Sequence, residues 1–424
     1  MKRVGTERLQ SPLRQSLQQS AVRAALTPHA AAPAGSRGHA GTRAARVPLP
    51  GRARMRRKTH AAGRRTRACL ALVLVVACAG GEPGVLTPLL TPADSVQLRG
   101  ADDAWFGTGA ALTVAADGSF LVSDPAGYTV HHFAADGRHV RSLGQRGSGP
   151  GEFTGPPGAL AVDGDSLVFV IVQPAHLQTI DYRTGEFTAR RNLQSYGVPA
   201  IAVSNGRVLY KRLDVDRRTT VGMLTAGSDS VHNGGPFPGP LDEHPFHADP
   251  ALSMLVVAPI DGGDRIALAL QSTDWIFLGR FAPGSPYDSV HVPVLYRQGA
   301  RRDVMERAIA DPTSVGAEIY TPTQPWLIAL LTDGTLAYLG ADLTLLDDRF
   351  AGVLHLSVID VDGRRACPDA RVDTPADAWP LATVRADTLF VLIRVIAGND
   401  LRAGIRKYVI STAGCRWSES PADD

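Results

Sequence analysis

The segment LGQRGSGPGEF, residues 143–153, places four glycines in eleven positions, a density that could cradle a phosphate. A P-loop needs Lys and then Ser or Thr directly after its last glycine, because the ammonium neutralises the phosphates and the hydroxyl holds the metal. Glu152 and Phe153 stand there instead. A dinucleotide site needs a helix opening on the glycines, and Pro156, Pro157 and Gly158 exclude one. These glycines therefore turn the backbone. LDEHPFHADP, residues 241–250, is the densest polar cluster, with His244 and His247 flanked by Asp242, Glu243 and Asp249. Two imidazoles at that spacing reach one zinc ion on a helix, but Pro245 makes the segment an extended loop and no third ligand is assignable, so solvated loop histidines are the simpler expectation. No Gly-x-Ser-x-Gly elbow is present, and the only lysines after residue 77, Lys211 and Lys407, fall in strand patterns, which leaves nucleophilic catalysis without support.

The elements that must carry these residues announce themselves as a repeat. From Ala110 onward one short text returns six times: ALTVAADGSFLVSD, ALAVDGDSLVFVIV, AIAVSNGRVLYKRL, VAPIDGGDRIALAL, LIALLTDGTLAYLG and LATVRADTLFVLIR. Each is an apolar run, a tight turn near Asp117, Gly164, Asn205, Gly262, Asp333 or Asp387, and a second β-rich run, which is hairpin chemistry. A second turn follows each, at residues 135–137, 184–185, 226–227, 283–284, 362–363 and 413–414. Two hairpins per unit make four antiparallel strands, and six such units predict an all-β, six-bladed β-propeller. One helical pattern, RRDVMERAIA at residues 301–310, predicts a short insertion between blades four and five. The propeller is expected over residues 101–420.

In such a blade the first-to-second and third-to-fourth turns share one face, while the second-to-third loops and the connectors between blades share the other. Here the second set is long and varied, and varied loops on a rigid scaffold are where ligands bind. Asp124, Asp214, Asp216 and Asp274 fall in second-to-third loops, and with His244 and His247 they are the candidate binding residues of that open face. Carboxylates converging there, Asp124 and Asp274 above all, could hold Ca²⁺, which takes six to eight oxygens. The alternative is that each aspartate caps its own turn.

The formal charge of +3 conceals a division. Residues 1–77 hold 16 basic residues and one acid, leaving 28 basic against 40 acidic, a net −12, in the remainder. A net negative globular part repels phosphate backbones, so no nucleic-acid partner is expected. The basic head ends in an Arg-rich run, the apolar stretch 68–77 and Cys78, which is signal-peptide architecture. The apolar stretch is too short to span a hydrocarbon core of ~30 Å. Residues 1–54 lack apolar periodicity and are expected to be disordered or untranslated, with Met55 the true start. The tetrad Val75-Val76-Ala77-Cys78 resembles the bacterial lipobox, and that resemblance implies acylation of Cys78, a partner in membrane lipid, a tether over residues 78–100, and a location outside the cytoplasm in the periplasm or at the cell surface.

GQRGSGPGEFTGPPGALAVDGDSLVFV, with VSDPAGYTVHHFAADGRHV before it, resembles the NHL-type repeat of bacterial six-bladed propellers, in which a Gly-Pro-Gly-Glu-Phe connector precedes the inner strand. The match covers about residues 105–190, and afterwards only the strand-turn rhythm persists. Function in that family is mostly binding and scaffolding, with scattered lyases and lactonases. A scaffold binding a ligand or protein partner is the expectation, and a calcium-dependent hydrolase similar to the gluconolactonase-like propellers is the alternative. Blade two offers no acid in its second-to-third loop, VQPAHLQ, and blade five a single Asp342 in LGADLT, which weighs against the hydrolase. Cys367 and Cys415 are the only cysteines beyond the signal region, and export permits a disulfide between them. Against it, both follow outer turns of neighbouring blades, whose rims diverge, and a bridge needs Cα atoms about 4.4–6.8 Å apart.

Overall fold

The computed structural model describes residues 89–419, except 102–103, 105, 108, 174–175, 194–200, 215–216, 229, 239–254, 272, 294, 296–306, 308–323, 347–348, 375–378 and 398–399. Its first strand, β1 (Leu90–Gln97), is followed by six sheets in chain order. Blade one is β2 (Leu112–Val114), β3 (Phe120–Asp124), β4 (Thr129–Phe133) and β5 (His139–Leu143). Blade two is β6 (Pro157–Asp163), β7 (Leu167–Val172), β8 (His176–Asp181) and β9 (Phe187–Asn192). Blade three is β10 (Ile201–Ser204), β11 (Arg207–Asp214), β12 (Thr219–Thr225) and β13 (Val231–Gly234). Blade four is β14 (Leu255–Ile260), β15 (Arg265–Leu270), β16 (Trp275–Arg280) and β17 (Tyr287–His291). Blade five is β18 (Gln324–Leu330), β19 (Leu336–Leu346), β20 (Arg349–Asp360) and β21 (Arg365–Arg371), and blade six begins with β22 (Leu381–Arg385), β23 (Thr388–Ala397) and β24 (Asp400–Ile410). Every pairing within a blade is antiparallel.

Turn chemistry sets the hairpins. Asn205 and Gly206 have φ of 50° and 71°, the paired left-handed conformation of a two-residue turn whose twist matches the strands, and Asn and Gly tolerate it best. Middle strands such as LVFVIV and RIALAL read as continuous apolar runs because both faces of a blade are covered by its neighbours. The core accordingly divides into six layers, one per blade interface. Leu121 and Val130 of blade one pack with Val168 and Ile180 of blade two; Phe169 and Ile171 of blade two with Val208 and Tyr210 of blade three; Leu209 and Val221 with Leu268 and Phe277 of blade four. Ala267 and Ile276 meet Ile328 and Tyr338 of blade five, Leu356 and Cys367 meet Leu389 and Tyr408 of blade six, and Leu392 and Ile405 of blade six meet Phe120 and Val122 of blade one. The sixth layer closes the ring.

Closure corrects two sequence expectations. Leu90–Gln97, expected within the tether, is β1, which pairs with β24 as the outer strand of blade six. The turn expected at residues 413–414 to lead into that outer strand instead lies in a single-turn 3-10 helix, Thr412–Gly414, after which β25 (Ser418–Glu419) pairs with β21 of blade five. The two findings have one cause: the edge of β24 is already taken by β1, so the chain leaving β24 must find another edge. That route also removes the objection to the disulfide. Cys415 lies on the crossing tail, its Cα is 5.4 Å from that of Cys367, and the two are bridged. The helical insertion as an element is not shown. Residues 301–310 lie outside the described residues apart from Arg307, which is helical, and the other described helices are two single 3-10 turns, Asp261–Gly263 and Thr412–Gly414. No described helix is long and apolar enough to cross a membrane.

Candidate functional site

The propeller presents two unlike faces. The turns within the inner and outer hairpins form a tight-turn face, and the second-to-third turns with the connectors form an open face. On the open face blades five and six are extended. Among the described residues strand β18 pairs with β19 as far as Ala341, and residues 342–346 run on as a ribbon with β20. Strand β22 pairs with β23 as far as Leu392, and 393–397 run on with β24, whose other edge is covered by β1 and Leu98 as far as Ala403, so the two-stranded end is 395–397 with 400–402. Five residues at ~3.3 Å each carry each ribbon roughly 17 Å past the described part of its inner strand.

Polar side chains are buried along the same ends of the blades: Asp124, Lys211, Gln271, Gln324, His355 and Asp369 are each at most 4% exposed. Buried polar groups must be paired, and the pairs show what this rim does. Asp124 ends β3; its Oδ1 accepts a 2.9 Å bond from the Gly127 N–H, and its Oδ2 lies 3.9 Å from His131 Nε2. His131 Nδ1 meets Ser142 Oγ at 3.1 Å, which meets His139 Nε2 at 3.1 Å, so the turn is tied through the sheet to the outer strand. In blade five His355 Nε2 lies 3.2 Å from Asp342 Oδ2 and its Nδ1 lies 3.9 Å from Asp369 Oδ2. Asp369 Oδ1 accepts the Leu295 N–H, pinning the connector from blade four. The rim is a set of loops held rigid by buried carboxylates and imidazoles.

The described aspartates expected here hold their own turns and blade ends. Asp124 caps its own turn, and Asp214 does likewise, its Oδ1 accepting the Arg217 N–H at 3.1 Å. The carbonyl of Asp274 accepts the Val292 N–H at 2.8 Å, fixing the end of blade four. Asp216, His244, His247 and Cys78 lie outside the described residues. Among the described residues no group of three or more His, Cys, Asp or Glu is placed to hold a metal ion. Sequence reasoning passed over His355 and Asp369. The available signal was a histidine inside the apolar run VLHLSV, where burial on both faces obliges a polar group to find partners.

The glycine-rich connector binds its own carboxylate. Gly149 N–H donates to Glu152 Oε2 at 2.8 Å and Gln145 Nε2 to Oε1 at 2.9 Å, and these bonds, that of Gly149 first, hold the Glu152 carboxyl below its usual range. A Cβ on Gly147 would sit 2.0 Å from Glu152 Oε2. The space a phosphate would fill is taken by the loop itself.

On the tight-turn face a second polar network joins blades one and two. Ser119 Oγ bonds the Tyr182 hydroxyl, which donates to Asp117 Oδ2 at 2.7 Å, and His132 Nε2 lies 3.2 Å from Ser119 Oγ. Ser119 is 2% exposed and, among the described residues, His132 Nδ1 has no hydrogen-bond partner, so this pair lacks the described acid that orients the imidazole in a Ser-His-acid triad. Burial, then the Arg141 charge, pushes the His132 pKa down, and burial followed by Arg190 does the same to His176. The unfolded chain therefore binds protons near pH 6.5 that the folded chain binds only at lower pH, and stability rises with pH across that window. The urea midpoint is expected to fall between pH 7.5 and 5.5, and a His132→Gln/His176→Gln variant to flatten the fall; an unchanged slope in the variant would locate the titration elsewhere.

No known protein-family profile matches the sequence, and no curated protein does. Solved structures share the fold. A protein of Bacteroides fragilis described as exported aligns at TM-score 0.51 and 10% identity, over 76% of this chain and 96% of its own. A member of the DUF4221 family from Bacteroides vulgatus aligns at TM-score 0.55 and 9% identity, over 76% of this chain and 98% of its own. At such identities the likeness is one of architecture alone.

Proposed function

We propose that the protein is an exported, lipid-anchored scaffold that binds a ligand or protein partner on the open face. The observation that carries this is the pair of ribbons rising from blades five and six beside a rim whose turns are pinned by buried side chains. A preorganised surface pays little ordering entropy on binding, and a projecting two-stranded ribbon offers backbone edges that a partner can pair with. Export is supported by the Arg-rich and apolar segments ahead of Cys78, by the bridged Cys367–Cys415 pair, and by the description of the Bacteroides fragilis neighbour as exported. The Gly-Pro-Gly-Glu-Phe connector supports kinship with NHL-type propellers.

Two measurements test the proposal. Mass spectrometry of the mature protein is expected to find acylated Cys78 at the N-terminus, and Cys78→Ala to move the protein from the membrane to the soluble fraction; an unmodified N-terminus at another residue would sink the anchor. Photo-crosslinkers placed at Thr273 and Thr344 on the open face are expected to give adducts in the native envelope. The same groups at Gly164 and Gly334, on tight turns of blades two and five with nothing within 4 Å of an added Cβ, are the comparison. Equal labelling at both faces, or none at the open face, would sink the scaffold.

A further inference from the structure

We infer that the tight-turn face carries a separate site, between blades three and four, for an anionic ligand with an apolar body. A groove of about 750 Å³ opens there, lined by Arg207, Arg265, Arg280, Met223 and Phe281 together with the β14–β15 turn. Two of the three guanidiniums are fixed. Arg207 Nη1 donates to Asp264 Oδ1 at 2.7 Å and to the Gly262 carbonyl at 3.3 Å, and Arg265 Nε donates to Asp261 Oδ2 at 2.6 Å, with its Nη1 3.9 Å from Asp362 Oδ1. The guanidinium of Arg280 has no carboxylate partner among the described residues.

Register makes that vacancy costly. Arg265 and Arg280 stand directly opposite each other on β15 and β16, so both side chains leave the same side of the sheet. Like charges directly opposite across an antiparallel pair destabilise it. The groove thus holds three guanidiniums against the carboxylates of Asp261 and Asp264 in its lining, with Asp362 beside Arg265, and Arg280 faces Arg265 across the strands without a carboxylate of its own among the described residues. Guanidiniums suit carboxylate and phosphate oxygens because their planar fork donates two parallel bonds. Met223 and Phe281 line the same groove and offer the anion's apolar portion a surface to cover. Arg207 and Arg265, held by their aspartates, are already oriented, and Arg280 supplies the guanidinium whose donors no described carboxylate takes.

Calorimetry of the intact protein with phenyl phosphate, benzoate and inorganic phosphate tests the site. Phenyl phosphate or benzoate is expected to bind, whichever is tighter identifying the head group, and inorganic phosphate to bind more weakly than phenyl phosphate because it leaves the apolar floor bare. Arg280→Gln is expected to weaken binding about tenfold or more, the worth of a charge-assisted hydrogen bond. Arg183→Gln, on the paired Arg183–Asp165 contact of blade two, is expected to leave it unchanged. Without ligand, Arg280→Gln is expected to melt no lower than the parent, since it removes a like-charge contact. Absence of binding by either aromatic anion, equal affinity in Arg280→Gln, or a lower melting temperature for that variant without ligand would each overturn the inference.

Discussion

Replacing both bridged cysteines, Cys367→Ala with Cys415→Ala, is expected to lower stability by about 4 kcal/mol. The bridge closes a loop of 48 residues, and the chain entropy removed from the unfolded state by a loop of that length corresponds to roughly 4 kcal/mol at 25 °C. The native side of the balance is local. The tail is otherwise held to blade five by a two-residue pairing, by the Thr412 hydroxyl donating to Asp333 Oδ2 at 3.2 Å, by the Ser418 Oγ bond to the Ala366 carbonyl at 2.9 Å, and by Trp417, over whose ring the Arg365 guanidinium stacks at 5.0 Å. Those contacts are few, so the tail is expected to leave the edge of β21 when the bridge is gone, while the six interface layers persist. Equilibrium denaturation of the parent with and without reductant, beside the double variant, measures it. Coincident midpoints in all three samples would show that the bridge does not form in the folded protein.

Deletion of β1 is expected to cost on the order of 5 kcal/mol, because its six register positions on β24 correspond to about as many backbone hydrogen bonds, each worth roughly 1 kcal/mol net. Its own side chains are largely exposed, so the ladder carries more of the effect than apolar burial does. The loss reaches blade one as well. Arg99 N–H, just after β1, donates to the Gly137 carbonyl, and the His139 N–H donates to the Arg99 carbonyl, both at 2.9 Å. Gly137 has φ of 83°, and a Cβ there would lie 2.1 Å from the Gln97 carbonyl oxygen, so the turn of blade one and the closing strand are fitted to each other. A chain beginning at residue 86 is expected to unfold in one cooperative transition, and one beginning at residue 98 to melt far lower with a broadened transition. Equal melting of the two would mean that the interface between blades six and one holds the ring without the outer strand.

Local chemistry determined the hairpins. Asn205-Gly206, Asp117-Gly118 and their relatives need left-handed or tight-turn backbone that few residues supply, so the turns sit where the letters say, and the apolar runs between them permit only strands covered on both faces. Repetition then set the number of blades. Glycine in the 143–153 connector was legible as a backbone requirement: Gly144 has φ of 78°, and a Cβ on it would strike the Phe153 ring at 2.4 Å. That Glu152 fills the resulting nest depends on how the loop folds back, which the letters alone do not state. What only the tertiary structure decided are the pairings between residues far apart in sequence. Strand β1 and β24 are joined across the whole propeller because ring closure leaves the last blade one strand short, and a terminal segment supplies it at little added strain. The tail therefore crosses to blade five and brings Cys415 beside Cys367, a contact that a blade-by-blade reading places on diverging rims. His355 with Asp342 and Asp369, and Arg265 opposite Arg280, belong to the same class. A side chain's type and its strand are written in the sequence, but its partners are set by register and by which blade lies alongside.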